Sequence, residues 1–142
     1  MFNRFNKMVN RMIKNFNYYN YKRSFDESLD IKREDIENYI KMGATIVDVR
    51  SPQEYREGHI EGAINLPEYN IRRNVQNILP DKNQLIILYC SVGERSKMAQ
   101  NKLKRLGYTN VYTVYEGIGD TLFSRLNSEK MASSNSLDFY RK

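Results

Sequence analysis

The sequence predicts an α/β fold with a mostly parallel sheet. Three observations carry that prediction. Short apolar runs alternate with amphipathic, helix-period stretches along residues 30–126. The run Leu85-Ile-Ile-Leu-Tyr89 is apolar throughout, as a strand covered on both faces of a parallel sheet must be. The chain has 142 residues, 40% of them hydrophobic, which is enough for one domain with a packed core and extra segments.

The elements follow in order. Ile31 begins a short strand. Arg33 to Met42 reads as a helix with Ile36, Tyr39 and Ile40 on one face, stopped by Gly43. Thr45-Ile-Val-Asp-Val49 is a buried strand. Pro52 suits the first position of a helix, and Glu54 lies in its first turn, where an acid complements the helix dipole. Gly58-His-Ile-Glu-Gly62 is a turn, and Ala63 to Leu66 a short strand ended by Pro67. Glu68 to Ile78 is helical, Pro80 to Asn83 a turn, and Leu85 to Tyr89 the central strand. Arg95 to Leu106 is an amphipathic helix closed by Gly107. Val111 to Val114 is the next strand, and Gly117 to Leu126 a last helix. Ser and Asn are frequent in residues 127–142, the composition of a flexible C-terminal tail.

The net charge of +6 is unevenly placed. Six of the 23 basic side chains, Arg4, Lys7, Arg11, Lys14, Lys22 and Arg23, fall in residues 1–25, which contain no acid. The remaining 17 match the 17 acids, so the body is neutral and nucleic acid is not an expected partner. In the leader, Phe2, Phe5, Val9, Met12, Phe16 and Tyr19 fall on one helix face. Such a basic amphipathic helix suits organelle import, a membrane-surface anchor or a docking helix for a partner. The plain alternative is a solvated, partly helical extension. One Cys and one His leave no intramolecular disulfide, no two-His metal motif and no four-ligand structural zinc site; neither a metal nor a cofactor is expected. The lone thiol fits a reducing compartment, hence a cytoplasmic location.

That thiol stands where chemistry is expected. Cys90 follows the central strand and opens the loop Cys90-Ser-Val-Gly-Glu-Arg-Ser96, after which a helix begins. Ligands in open α/β sheets bind outside the carboxyl ends of the strands. A tight loop there turns backbone N–H groups inward as an anion nest, and the helix adds the positive end of its dipole. This setting favours the thiolate, the nucleophilic form. Gly93 supplies the left-handed conformation that the loop needs, and Arg95 is placed to close or brace it.

The motifs together resemble the single-domain rhodaneses. They are Ile46-Val-Asp-Val-Arg50, Glu54-Tyr55, Gly58-His-Ile-Glu-Gly-Ala-Ile-Asn-Leu-Pro67, Tyr89-Cys-Ser-Val-Gly-Glu-Arg-Ser96, Leu106-Gly-Tyr-Thr-Asn-Val111 and Tyr115-Glu-Gly-Ile118, in the family's order and spacing. The resemblance implies five parallel strands flanked by helices on both faces, and sulfurtransferase activity through a persulfide on Cys90. It makes Ser91, Val92, Gly93, Glu94, Arg95 and Ser96 the substrate cradle, with Asp48 and Arg50 supporting the loop. Gly58, His59 and Gly62 are structural under this reading. Three departures stand out. Many members have a base inside the loop, whereas its variable positions here are Ser91, Val92 and the acid Glu94; Glu116-Gly117 replaces a Gly-Gly pair, and the usual Trp nearby is absent.

Residues 1–28 are thus expected to form the basic extension, 29–126 the rhodanese-like domain, and 127–142 the tail. The expected partners are a small sulfur donor with a thiol or cyanide acceptor, or a partner protein carrying a persulfide; the chain is expected to be a monomer. Two other classes compete: a non-catalytic binding module, and a Cys-dependent phosphatase or arsenate reductase. Four residues separate Cys90 from Arg95, one fewer than in the Cys-dependent phosphatases.

Overall fold

The computed structural model describes residues 4, 6–10 and 24–119. Five strands, β1 (Asp30–Ile31), β2 (Thr45–Asp48), β3 (Ile64–Asn65), β4 (Ile86–Tyr89) and β5 (Val111–Val114), form one sheet in the order β1-β5-β4-β2-β3. Every pairing is parallel. The helices are α1 (Ile36–Lys41), α2 (Pro52–Glu57), α3 (Ile71–Ile78) and α4 (Glu94–Arg105), with 3-10 turns at Arg33–Asp35 and Glu68–Asn70.

The apolar character of β4 has a simple origin. Alternate side chains point to opposite faces. Ile86, Leu88 and then Cys90 enter one core with Ile71, Val75, Ala99 and Leu103 of α3 and α4. Ile87 and Tyr89 enter the other with Ile36 of α1, Ile60 and Ile118. Helices therefore cover both faces, and the strand has no polar face to present. Cys90 lands on the α4 side by this alternation alone.

The predicted elements recur with shifted ends. The first helix is shorter than expected, because its opening residues form the 3-10 turn. Ile36 is buried and Tyr39 packs toward Tyr112, but Ile40 is 38% exposed. The buried arc lies on the Tyr39 side of Ile36, so Ile40 is not part of the inward face. Gly117 and Ile118 are not helical; the remainder of the expected last helix from residue 120, the tail 127–142, and most of the basic leader lie outside the described residues. Residues 6–10 of the leader are helical. Near the junction with the extension, Phe25 meets the Tyr115 ring edge-on at 5.6 Å. Among the described residues, no helix is long and apolar enough to cross a membrane.

β1, only two residues long, is tied down by charge. The Asp30 carboxylate is wholly buried and pairs with Lys97 of α4, while the Thr113 hydroxyl donates to it at 3.0 Å. Gln100, one turn further along α4, donates to the carbonyls of Leu29 and Val111 at 2.7 and 2.9 Å. The helix that follows Cys90 is thereby fastened to both the edge strand and its neighbour.

Candidate active site

All strands being parallel, the loops after β2, β3, β4 and β5 gather at one end of the sheet. Cys90 lies at the centre of that end and is fully buried. Gly93, in the left-handed region at φ 95°, turns the chain so that α4 starts directly over the sulfur. The Gly93 N–H donates to Sγ at 3.0 Å and the Ser96 N–H at 3.4 Å. The first turn of any helix has N–H groups without intrahelical partners. Gly93 offers no side chain to cap them, and the sulfur of Cys90 takes that place. The Ser96 hydroxyl lies 3.6 Å from Sγ as acceptor of the thiol proton and donates to the Gly93 carbonyl at 3.0 Å. It is buried and able to rotate toward a sulfur anion.

The other cradle positions serve differently. The Ser91 carbonyl accepts from the Gly119 N–H at 3.0 Å, and the Cys90 carbonyl from the Ile118 N–H at 3.1 Å. Val92 is 55% exposed at the loop tip. Glu94 is the first residue of α4 and is half-buried. Arg95 braces the loop: its guanidinium forks onto both Glu54 oxygens at 2.6 and 3.0 Å.

Glu54 is the first residue that sequence reasoning placed without its role. It closes a capping box with Ser51 at the start of α2, each accepting from the other's backbone N–H. Hydrogen bonds from Arg95 hold its carboxyl down at about 2, against the opposing push of partial burial. A carboxylate depressed on folding stabilises above its unfolded value of 4.5 and loses that contribution as pH falls toward about 2. Glu54→Gln keeps the capping acceptor and removes the charge. Its unfolding midpoint is expected to fall below that of the parent at about pH 7, with the gap closing through pH 4.5 toward pH 2. Melts across that range check it; a gap that does not change with pH means that the ion pair is not the cause.

Asp48 and Arg50 act one step away from the loop. Their pair is buried, with Nη2 2.7 Å from Oδ2, and Arg50 also donates to the Gly58 carbonyl at 2.6 Å. The Tyr89 hydroxyl donates to Asp48 at 2.9 Å and accepts from the Ile60 N–H at 3.0 Å. The pair thus holds Tyr89, the residue before Cys90, and the turn beside it. Burial, with Asp48 adjacent, pushes the Tyr89 phenol well above its ordinary value. Tyr89→Phe leaves the buried Ile60 N–H without its acceptor, and the expected loss is about 1–3 kcal/mol. A lower urea midpoint at unchanged slope is the measurement. His59 stacks on Tyr55 at 3.6 Å, with Nδ1 2.7 Å from the Tyr55 carbonyl, a contact that anchors the turn.

Two residues that complete the site had no role in it assigned from the sequence. Gly117, at φ 71°, runs so close to the loop that an added Cβ would stand 2.3 Å from the Ser91 carbonyl oxygen. Arg33 fixes that segment by donating to the Gly117 carbonyl at 2.8 Å and to the Glu116 carbonyl at 3.3 Å. Glu116 itself is exposed, which is why a side chain is tolerated there and not one position later. The motif of Gly117 was visible; nothing in the pattern around Arg33 marked it.

A parallel five-stranded sheet with a cysteine capping the helix after its central strand defines an α/β protein with a thiol-centred anion nest at the carboxyl end of its sheet. The family model described as "Rhodanese-like domain" matches residues 32–120. The chain belongs to the rhodanese-like family. It is 38% identical over 65 residues to the thiosulfate sulfurtransferase PspE of Escherichia coli, covering 46% of this chain and 62% of that protein. It is 33% identical over 93 residues to a tRNA uridine(34) hydroxylase of Buchnera aphidicola, covering 62% of this chain and 30% of that protein. The chain thus spans less than two thirds of either relative. Among solved structures, a rhodanese-related protein of Thermoplasma volcanium is similar with a TM-score of 0.56 and 32% identity, over 63% of this chain and 86% of that one.

Proposed function

We propose that the protein is a sulfurtransferase that carries sulfane sulfur on Cys90. The observation that bears most weight is the capping of α4 by Sγ through the Gly93 and Ser96 amides. Donors already aimed at the sulfur stabilise an anionic thiolate, and later the persulfide, without reorganising. Cys90 attacks the outer sulfur of a donor, and the donor's remainder leaves. The persulfide places its outer sulfur about 2 Å beyond Sγ. A thiol or cyanide acceptor then takes that atom and restores the thiolate. No general acid is needed, which agrees with the structural use of His59. The acceptor is a small molecule or a partner protein, and the basic residues 1–25 are assigned to holding such a partner or an anionic surface.

Incubation with a sulfane donor should add one sulfur, about 32 Da, to the intact mass, and a reductant should remove it. Two observations weigh against phosphatase chemistry. The loop is short, and the Arg95 fork is turned onto Glu54 rather than onto Sγ. Efficient hydrolysis of aryl phosphates through Cys90, with no sulfur accepted from any donor, would favour the phosphatase. Sulfur loading that no acceptor discharges would favour the binding module.

A further inference from the structure

We propose that the Cys90 site takes its sulfur from a persulfide, R–S–SH, in preference to the thiosulfate dianion, and that Glu94 is the residue that sets this choice. The inference rests on the sulfurtransferase reading and names its donor.

The charges around the loop motivate it. Residues 91–96 contain one cation, Arg95, and one acid, Glu94. Arg95 is engaged at both ends of its fork by Glu54, so the loop and its brace hold one positive charge against two negative ones. The neighbouring rim is no more cationic. A cavity of about 200 Å³ beside it is lined by Phe25, Lys32, Arg33, Glu34, Tyr115 and Glu116, two bases against two acids. Arg33 is committed to the Gly117 and Glu116 carbonyls. What the site offers an anion is the pair of amides on Sγ, and these serve the carried sulfur itself. A sulfonate group on the donor would meet a rim without net positive charge, with Glu94 at the head of α4. The large apolar side chains exposed at this end of the sheet, Val92 at 55% and Tyr69 at 65%, suit a less charged donor.

The step balances without an outside oxidant. The Cys90 thiolate forms a bond to the outer sulfur of R–S–SH, the donor's S–S bond breaks, and the electron pair leaves on R–S⁻. One S–S bond replaces another, and the single negative charge passes from Cys90 to the departing thiolate. With thiosulfate the same attack must expel sulfite as a dianion from beside Glu94. The persulfide has two sources, a small thiol or a cysteine of a protein, and both present the same group.

The test compares loading rates of the full chain by intact mass, with cysteine persulfide, persulfidated serum albumin and thiosulfate as donors. A second-order rate at least about 10-fold higher with either persulfide than with thiosulfate is expected. The faster of the two persulfides then assigns the source. Glu94→Lys is expected to raise the ratio of the thiosulfate rate to each persulfide rate at least about 10-fold. Rising salt should speed thiosulfate loading of the parent and slow that of Glu94→Lys, because screening removes repulsion in one and attraction in the other. Glu94→Gln serves as the second variant, with a smaller rise in the same direction. Thiosulfate loading as fast as persulfide loading, or no response to either Glu94 change, overturns the donor assignment and leaves sulfur transfer standing. No loading by any of the three overturns the transfer reading itself.

Discussion

Replacing Cys90 by Ser is expected to abolish both sulfur loading and transfer, a fall of about 10⁴-fold or more in rate. Cys90 is the sole thiol of the chain, so no second sulfur can substitute. A hydroxyl at this position remains protonated at neutral pH and does not attack sulfane sulfur. The fold should survive, because an Oγ can take the Gly93 and Ser96 N–H groups in place of Sγ and keep α4 capped. Intact mass should show no gain of about 32 Da with any donor, while the thermal melt stays cooperative and near that of the parent. A Ser variant that still moves sulfur from donor to acceptor would sink the assignment of Cys90.

The second large effect is expected at Gly117, far from Cys90 in the sequence. A Cβ at this position would lie 2.3 Å from the Ser91 carbonyl oxygen, 2.5 Å from its carbon and 2.6 Å from the Val92 nitrogen. These are backbone atoms, which cannot swing aside as a side-chain end can. Either the loop after Cys90 or the segment after β5 must therefore move. The segment is held by Arg33, and the loop by the Ile118 and Gly119 N–H groups. Gly117→Ala should displace the cradle by an ångström or so and cost about 10²-fold in sulfur transfer. The left-handed φ adds about 1–2 kcal/mol of destabilisation. Glu116→Ala, at the exposed neighbouring position, is the control and should leave the rate nearly unchanged. Loading of Gly117→Ala at the parent's rate would mean that this contact does not set the loop.

The carboxyl-end loops show where a sequence argument reaches and where it stops. The position of Cys90 was legible, because a wholly apolar run followed by a Gly-containing turn and an amphipathic stretch marks strand, loop and helix. The bracing role of Arg95 was legible in kind but not in partner. Ser51, Pro52 and Glu54 announce a helix start, yet nothing local says that the same carboxylate also receives a guanidinium. Ile40 went astray because a period of 3.6 identifies a stripe without stating which side of it the sheet covers.

By itself, then, the sequence determined the succession of strands and helices, the parallel arrangement they require, and the placing of the lone cysteine at a strand-to-helix turn. These follow from hydrophobic period and turn chemistry, which are local properties read within a few residues. The tertiary structure alone decided the partners. Arg95 reaches Glu54, and Tyr89 reaches Asp48, each across 41 residues, while Arg33 reaches Gly117 across 84. The sheet order β1-β5-β4-β2-β3 sets β2 and β5 on either side of β4, and so brings the residues that follow them to flank the Cys90 loop. Such contacts depend on which strands become neighbours, and no local pattern of polarity records that.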